Sequence, residues 1–389
     1  MLVMACKMQE EECGDATNFT VTFAGELLSH AENLIRMGLH PSQIVLGYEE
    51  ALKKCLETLN TIESYRIEDL RSVDQVAKGL KATISSKLPQ HGDFFSQLVA
   101  KACINSLPDT TFKFDVDNVR VIQILGSSVS DSTFMSGMVV KRNVEGSIES
   151  MAKPRIACYS CPLDTQYSET KGTVLIKTAD ELLNYTKGEE DLAEKFVQKL
   201  VGANINVVVS GGSISDIVLH FLDKYKIMVV RIMSKFELRR IARAIRAVIL
   251  SKLDPPTPEE IGESDDVRVE EIASEKVVVF KRSTEDCRLS TIILRGSTRN
   301  ILEDIERAID DGVNVYKSII QDKVFVPGAG SSEILLSKKL EAEAKKLTGL
   351  DQYSYSRFAK AFEVFPRILA ENSGVNANEM VPKLIAANE

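Results

Sequence analysis

Residues Gly14-Asp15-Ala16-Thr17-Asn18 stand just before a helical pattern that begins near Thr22. Small residues let a backbone approach a phosphate, and the free N–H groups of a helix N-terminus favour an anion. Asp15 adds a hard oxygen ligand of the kind Mg²⁺ takes alongside water and phosphate. The same residues also suit a simple capping turn, because Asp and Thr are good helix caps. Spacing alone favours the cap. A second glycine turn, Val326-Pro-Gly-Ala-Gly-Ser-Ser-Glu333, opens another helix and reads equally as an ordinary loop-to-helix start. Upstream of it, Glu306-Arg-Ala-Ile-Asp310-Asp311-Gly312 places carboxylates in a helix. A carboxylate that orients and deprotonates water is the general base phosphate transfer needs, a contribution of about 10²–10⁴ in rate. A solvated helix face is the commoner meaning of such a run.

Other groupings carry weaker chemistry. Cys158-Tyr-Ser-Cys161 has the spacing of half a zinc site, but no second pair accompanies it and it lies in a strand-like run. The stretch from Gly202 to Gly212 is a strand followed by glycines and a helix. It lacks the dinucleotide fingerprint and reads as a strand turn. His30, His40, His91 and His220 are far apart, which leaves a histidine relay unsupported. The helix from Lys235 to Val248 carries Lys235, Arg239, Arg240, Arg243 and Arg246 opposite a stripe of Leu238, Ile241, Ala242 and Ile245. That is an amphipathic surface helix or a partner-binding face, and charge alone does not choose between them.

These groups need elements to hold them. A chain of 389 residues allows two or three domains at roughly 150 residues each. With 44% hydrophobic and 27% charged residues the composition is that of a globular protein. The net charge of −8 leaves no chain-wide basic footprint for nucleic acid. No apolar run is long enough to span a membrane, and the opening residues are too short a patch for a signal peptide. Seven scattered cysteines suit a reducing compartment, so the expected location is cytoplasmic.

Periodicity predicts helices from Phe23 to about Leu59, with a stop and restart at Met37 to Ser42, and again from Ile67 to Leu107 with a break at Leu88 to Asp93. The middle is different. Short β-branched runs at Met138–Lys141, Arg155–Ser160, Val174–Lys177, Asn206–Ser210 and Met228–Ile232 read as strands. Helical segments Ala179–Leu200, Ser215–Tyr225 and Lys235–Ser251 separate several of them, the alternation of an α/β domain. A Pro-rich acidic loop from Leu253 follows, then strands at Val277–Phe280 and Thr291–Arg295, then helix from Asn300 onward. Helix, α/β insert and helix again imply that the two ends pack as one discontinuous unit.

The order of Gly14-Asp-Ala-Thr17, Ala24-Gly-Glu-Leu-Leu28, Ile84-Ser-Ser-Lys87, Ile293-Leu-Arg-Gly-Ser297, Glu306-Arg…Asp311, Gly328-Ala-Gly330 and Leu369-Ala-Glu-Asn372 resembles that of a group II chaperonin subunit. Finer details, among them Thr17-Asn18-Phe19, Lys171-Gly-Thr-Val-Leu-Ile-Lys177, Val278-Val-Phe-Lys281 and Asp310-Asp-Gly-Val-Asn314, resemble the eukaryotic cytosolic branch. The resemblance covers essentially the whole chain. It implies a multi-domain α and α/β protein: a discontinuous helical equatorial domain (1–65 and 323–389), an intermediate hinge domain (66–135 and 288–322) and an α/β apical domain (136–287).

By that resemblance, Asp15 binds Mg²⁺, and Ala16, Thr17, Asn18 and Phe19 surround the phosphates of ATP or ADP. Ser85 and Ser86 approach the nucleotide from the intermediate side, Gly328 contacts its sugar or base, and Asp311 positions the attacking water. The Ala179–Leu200 helix corresponds to a protruding lid, and the Lys235–Val248 helix to an apical element facing substrate. The implied partners are other chaperonin subunits in a hetero-oligomeric double ring and unfolded polypeptides, with neither nucleic acid nor membrane. The implied work is ATP-dependent protein folding in the cytoplasm. A truncated, catalytically impaired protein that only binds polypeptides or partners is the alternative.

Two departures matter. Ala16 and Ala329 stand where the family usually has glycine, which is harmless at negative φ and strained at positive φ. The chain also reads as shortened at both ends, with a phosphate-cradling glycine loop expected before Met1 and a nucleotide-contacting Asp expected after Glu389. The isolated chain is therefore expected to hydrolyse ATP poorly, because phosphate transfer depends on positioning. The apical insert is expected to be its most independently stable part.

Overall fold

The computed structural model describes residues 1–108, 114–164, 179–273, 275–282 and 289–388. The strand expected at Val174–Lys177 lies outside the described residues. The chain forms two compact units, one of residues 1–83 with 314–389 and one of residues 84–313.

The first unit begins with helices α1 (Leu2–Cys13), α2 (Thr17–Arg36) and α3 (Pro41–Leu59). The stop between α2 and α3 falls where the sequence placed it. Gly38 takes a φ of 98°, open only to a residue without a Cβ penalty. Pro41 then pre-sets the first turn of α3, and the His40 ring accepts from the Ser42 N–H at 3.3 Å. Strand β1 (Tyr65–Arg66) and helix α4 (Val73–Lys87) follow.

The second unit continues with α5 (Gly92–Ser106), then strands β2 (Val119–Leu125), β3 (Thr133–Ser136), β4 (Met138–Val140), β5 (Ser150–Ala152) and β6 (Arg155–Tyr159). Next come α6 (Ala179–Gly202), β7 (Val207–Ser210), α7 (Asp216–Lys224), β8 (Met228–Arg231), α8 (Lys235–Ile245) and β9 (Ile249–Leu250). Strands β10 (Gly262–Glu263), β11 (Asp266–Ile272), β12 (Glu275–Lys281) and β13 (Ser290–Gly296) lead to α9 (Arg299–Gln321). The chain then re-enters the first unit through β14 (Val324–Phe325), α10 (Ser331–Ala344), α11 (Asp351–Ala361), α12 (Val364–Asn372) and α13 (Ala377–Ala387).

The return is explicit in the packing. Strand β14 pairs with β1, Tyr65 opposite Phe325. Ala51 and Cys55 of α3 share a buried cluster with Leu336 and Leu340 of α10, Phe358 and Phe362 near α11, and Phe365 of α12. The ends of the chain thus fold as one body, as the helix, insert and helix order predicts.

Among its described residues the second unit holds three sheets. In the order β2-β13-β3, β13 runs parallel to β2. The order β4-β12-β11-β5 is antiparallel. Strands β6, β7 and β8 are parallel, with β10 antiparallel on β6. Side chains of these strands alternate between two cores: Ile156, Cys158, Val207 and Val209 face one, Ala157, Tyr159 and Val208 the other. Burial on both faces explains why they read as unbroken Val and Ile runs.

The sequence reading extended α8 to Ser251. It ends at Ile245 because Arg246 turns into the left-handed region at φ 59°. The chain then pairs β9 with β6. Strands β1, β2, β3, β5, β9, β10, β11 and β14 lie outside the runs that read as strands in the sequence.

Candidate functional site

The turn between α1 and α2 holds Asp15 between two left-handed residues, Gly14 at φ 71° and Ala16 at φ 65°. Gly14 is obligatory there, since a Cβ on it would lie 2.1 Å from Asn314 Cγ. Ala16 carries the penalty of a left-handed L-residue, about 1–2 kcal/mol. It is the N-cap of α2, yet no side chain among the described residues caps that helix. Asp15 Oδ1 accepts from the Ala16 N–H at 2.6 Å, and Gln9 Nε2 donates to the Asp15 carbonyl at 3.2 Å. The capping-turn reading therefore fails here: neither Asp15 nor Thr17 closes the first turn of α2. Its N–H groups stay available, with Thr17 half-buried and Asn18 and Phe19 exposed.

The second turn has the same build. Ala329 at φ 59° and Gly330 at φ 82° precede α10, and Gly330 as N-cap again leaves the first turn without a side-chain cap. Gly328 is exposed, with nothing within 4 Å of where a Cβ would stand. The Ser332 hydroxyl holds the loop through the Pro327 carbonyl at 2.5 Å. Glu333, in the first turn of α10, keeps one buried carboxylate oxygen without a partner among the described residues.

Both turns touch α12. Phe19 stacks on Phe365 with centroids 3.8 Å apart, and the Gly330 backbone sits where a Cβ would be 3.1 Å from Pro366 Cβ. One helix thus braces two uncapped helix N-termini within the first unit. That arrangement fits a polyanion: two sets of N–H groups at positive helix ends, and a carboxylate with a free oxygen for a divalent cation.

Ser85, Ser86 and Asp311 lie in the second unit. Ser85 is half-buried against Gly92, whose Cα faces the Ser85 hydroxyl, and Ser86 is exposed. Asp311 on α9 is held by the ammonium of Lys87, at the last position of α4. The Asp311 side chain is only 15% exposed, so its ion pair with Lys87 lies in a poorly hydrated place. Its neighbour Asp310 is pushed up to about 6, first by loss of solvation, then by Glu306, with Lys87 opposing. The Gln123 amide donates to Glu306 and fixes that carboxylate in turn. Adjacent residues Asp310 and Asp311 thus occupy different electrostatic settings, one paired and one crowded.

Lys87 and Asn314 were not assigned a role from the sequence. Both lie inside motifs it singled out, at the ends of Ile84–Lys87 and Asp310–Asn314. Only folding shows that one holds Asp311 and the other fills the space against Gly14. The Cys158 and Cys161 side chains face opposite cores, and burial pushes the Cys158 thiol up to about 12. The arginine-rich face of α8 is solvent-facing at Arg239 and Arg243, while Leu238, Ile241 and Ile245 are buried.

The sequence profile of the TCP-1/cpn60 chaperonin family matches residues 1–389. T-complex protein 1 subunit theta of Mus musculus is 48% identical over 389 residues, covering 100% of this chain and 71% of that protein. The theta subunit of Dictyostelium discoideum is 45% identical over 388 residues, covering 100% of this chain and 72% of its own. Among solved structures, the open-state monomer of a group II chaperonin from Methanococcoides burtonii matches with a TM-score of 0.72 at 28% identity. That match covers 96% of this chain and 87% of the other. The chain belongs to the TCP-1/cpn60 chaperonin family.

Proposed function

We propose that the two braced turns of the first unit hold the phosphates of ATP and its Mg²⁺, and that Asp311 serves the water that attacks. The chain is a theta-type chaperonin subunit, of a family whose members couple ATP hydrolysis to protein folding. The observation that carries the site is the uncapped start of α2, with Asp15 beside it and both turns fastened to α12. Asp15 supplies a carboxylate oxygen to Mg²⁺, and Ala16 to Phe19 supply N–H groups to phosphate. Gly328, with open space above its Cα, admits the sugar or base. Ser85 and Ser86 complete the contacts from α4.

Bound Mg²⁺ neutralises charge on the phosphates. The remaining work falls to this chain's own groups. Lys87 holds the Asp311 carboxylate in place, so that it can orient the attacking water and take its proton. The subunit works in a hetero-oligomeric double ring in the cytosol, where nucleotide shifts it between open and closed states around an unfolded polypeptide. Nucleotide drives that change only through unequal affinity for the two states. Similarity over the whole chain, rather than over one domain, favours this reading over a protein that only binds polypeptides. Among the described residues no helix is long and apolar enough to cross a membrane.

The test is Mg²⁺-dependent photolabelling with an azido-ATP. Label should map to the turn around Gly328, where the base would lie, and Asp15→Asn should abolish its Mg²⁺ dependence. In a reconstituted ring, Asp311→Asn should leave labelling intact and lower this subunit's turnover by about 10²–10⁴. Unchanged labelling in Asp15→Asn removes the metal assignment, and unchanged turnover removes the base. Elution of the chain with other subunits at ring mass, rather than as a monomer, tests assembly.

A further inference from the structure

On α11, Tyr353, Ser356, Arg357 and Lys360 recur at the spacing of one helix face, and Gln352 borders it. That face lines a cleft of about 550 Å³, closed by Met37 at the end of α2 and by Glu341 and Lys345 at the end of α10. All three helices belong to the first unit, and the volume is that of a small-molecule site. The polar side chains are unspent. Among the described residues Lys345, Gln352, Tyr353, Ser356, Arg357 and Lys360 donate no side-chain hydrogen bond and form no ion pair. Arg357 is half-buried, so its guanidinium has given up part of its water without gaining an acceptor. Among the described lining residues Glu341 is the single acid, against three cations. The ends of α2 and α10 add only about half a negative charge each, so the cleft stays cationic. His30 of α2 feels that charge. Burial holds its pKa below the usual histidine value, Glu26 at 3.4 Å opposes, and Arg357 and Lys360 push it lower again.

We propose that this cleft binds a free anion carrying several linked phosphate groups. A lone carboxylate offers two oxygens, fewer than the donors that line the cleft. Linked phosphates present enough oxygens for three cations, the Tyr353 and Ser356 hydroxyls and the Gln352 amide. Arg357 takes one phosphate through its planar fork of N–H donors, and Lys345 and Lys360 meet the others as point charges. The site shares no residue with the two nucleotide turns and does not depend on them.

The experiment is isothermal titration calorimetry of the purified chain with sodium tripolyphosphate, in EDTA so that a Mg²⁺-dependent nucleotide site stays silent. One tripolyphosphate should bind per chain, about tenfold more tightly than orthophosphate, and added salt should weaken it. Arg357→Gln and Lys360→Gln should each cost about tenfold in affinity, the loss of one charge-assisted contact. Glu341→Gln, which removes the acid from the cleft, should tighten binding several-fold, a gain that misfolding cannot mimic. Histidine-selective NMR locates the ligand. A bound anion offsets Arg357 and Lys360, so the His30 ring should titrate at higher pH in the complex. No binding, binding that survives both cation substitutions, or binding that leaves the His30 titration unmoved overturns the site. Equal affinity for orthophosphate and tripolyphosphate overturns the choice of linked phosphates. Tighter binding of an oligoglutamate peptide than of tripolyphosphate overturns it as well, and makes the cleft a docking face for an acidic protein segment.

Discussion

The rings of Phe19 and Phe365 lie parallel, with centroids 3.8 Å apart. Phe19 belongs to the first turn of α2 and Phe365 to α12, so a contact between distant parts of the sequence fixes where α2 begins. Phe365 also meets Phe23 at 5.8 Å, and the next residue, Pro366, bears on Gly330. The aromatic pair therefore links the two candidate nucleotide turns through a single helix.

Truncating that link should loosen both turns together. Phe365 is buried, so Phe365→Ala should lower stability by about 3 kcal/mol in denaturant unfolding. Phe19 is 42% exposed, and Phe19→Ala should remove only about 1 kcal/mol. A double-mutant cycle should show coupling of about 1 kcal/mol between the two rings. Additive losses would mean that the stack carries no energy of its own.

Ala16 and Ala329 carry a second, opposite expectation. Both sit at positive φ, where glycine has no penalty. Replacement by glycine relieves the left-handed strain but adds freedom to the unfolded chain, leaving a net gain of up to about 1 kcal/mol each. Ala16→Gly and Ala329→Gly should raise the denaturation midpoint, and Ala16→Val should lower it. A lower midpoint for both glycine variants would show that the alanines are not strained.

Part of this was legible in the sequence. The apolar spacing of α9, with Leu302, Ile305, Ala308, Ile309 and Val313 all buried, marks one face of a helix unambiguously. The Gly38-to-Pro41 punctuation marks the helix boundary equally well. Strands β10 and β5 were not legible, because two or three residues hold no period. Strand β11, Asp266–Ile272, is hidden by its charge: Arg268 and Glu271 are exposed and Glu270 half-buried on opposite faces of a partly solvated sheet. The site residues were legible as ordered motifs, since glycine and carboxylate spacing is local. Their partners were not. Lys87 meets Asp311 across 224 positions and Phe19 meets Phe365 across a still longer span, contacts that no local pattern encodes.

The Cys158-Cys161 spacing makes a third test simple. Cys158 is buried on one side of the parallel sheet and Cys161 packs against the other. Burial also pushes Cys55 up to about 11 and raises Cys103 further. Brief alkylation of the native chain at neutral pH, followed by peptide mass mapping, should leave Cys55, Cys103 and Cys158 unmodified, because the thiolate is the reactive form. A mild oxidant should not join Cys158 to Cys161. A disulfide between them, or stoichiometric zinc uptake, would contradict the opposed facing of their side chains.

Asp310 gives the chain a pH dependence whose sign can be worked out. Its carboxyl is raised to about 6 by lost solvation and by Glu306, against Lys87, while in the unfolded chain it titrates near 4. The folded state thus holds the proton more tightly. Asp310 contributes stability that is present below about pH 4 and lost as pH rises towards 6, above which the loss is constant. Asp310→Asn removes this dependence. The variant should match the wild type below about pH 4 and exceed it at pH 7, by a modest amount because the residue remains partly open to solvent. Glu306→Gln should shift the same window to lower pH by removing the like charge. Lys87→Met should shift it higher, since it removes the opposing cation and leaves the Asp311 charge unpaired nearby. Unfolding midpoints of the four proteins between pH 4 and 8 decide the matter: an Asp310→Asn chain less stable than the wild type at pH 7 would mean that the ionised carboxylate is favourably paired and not crowded.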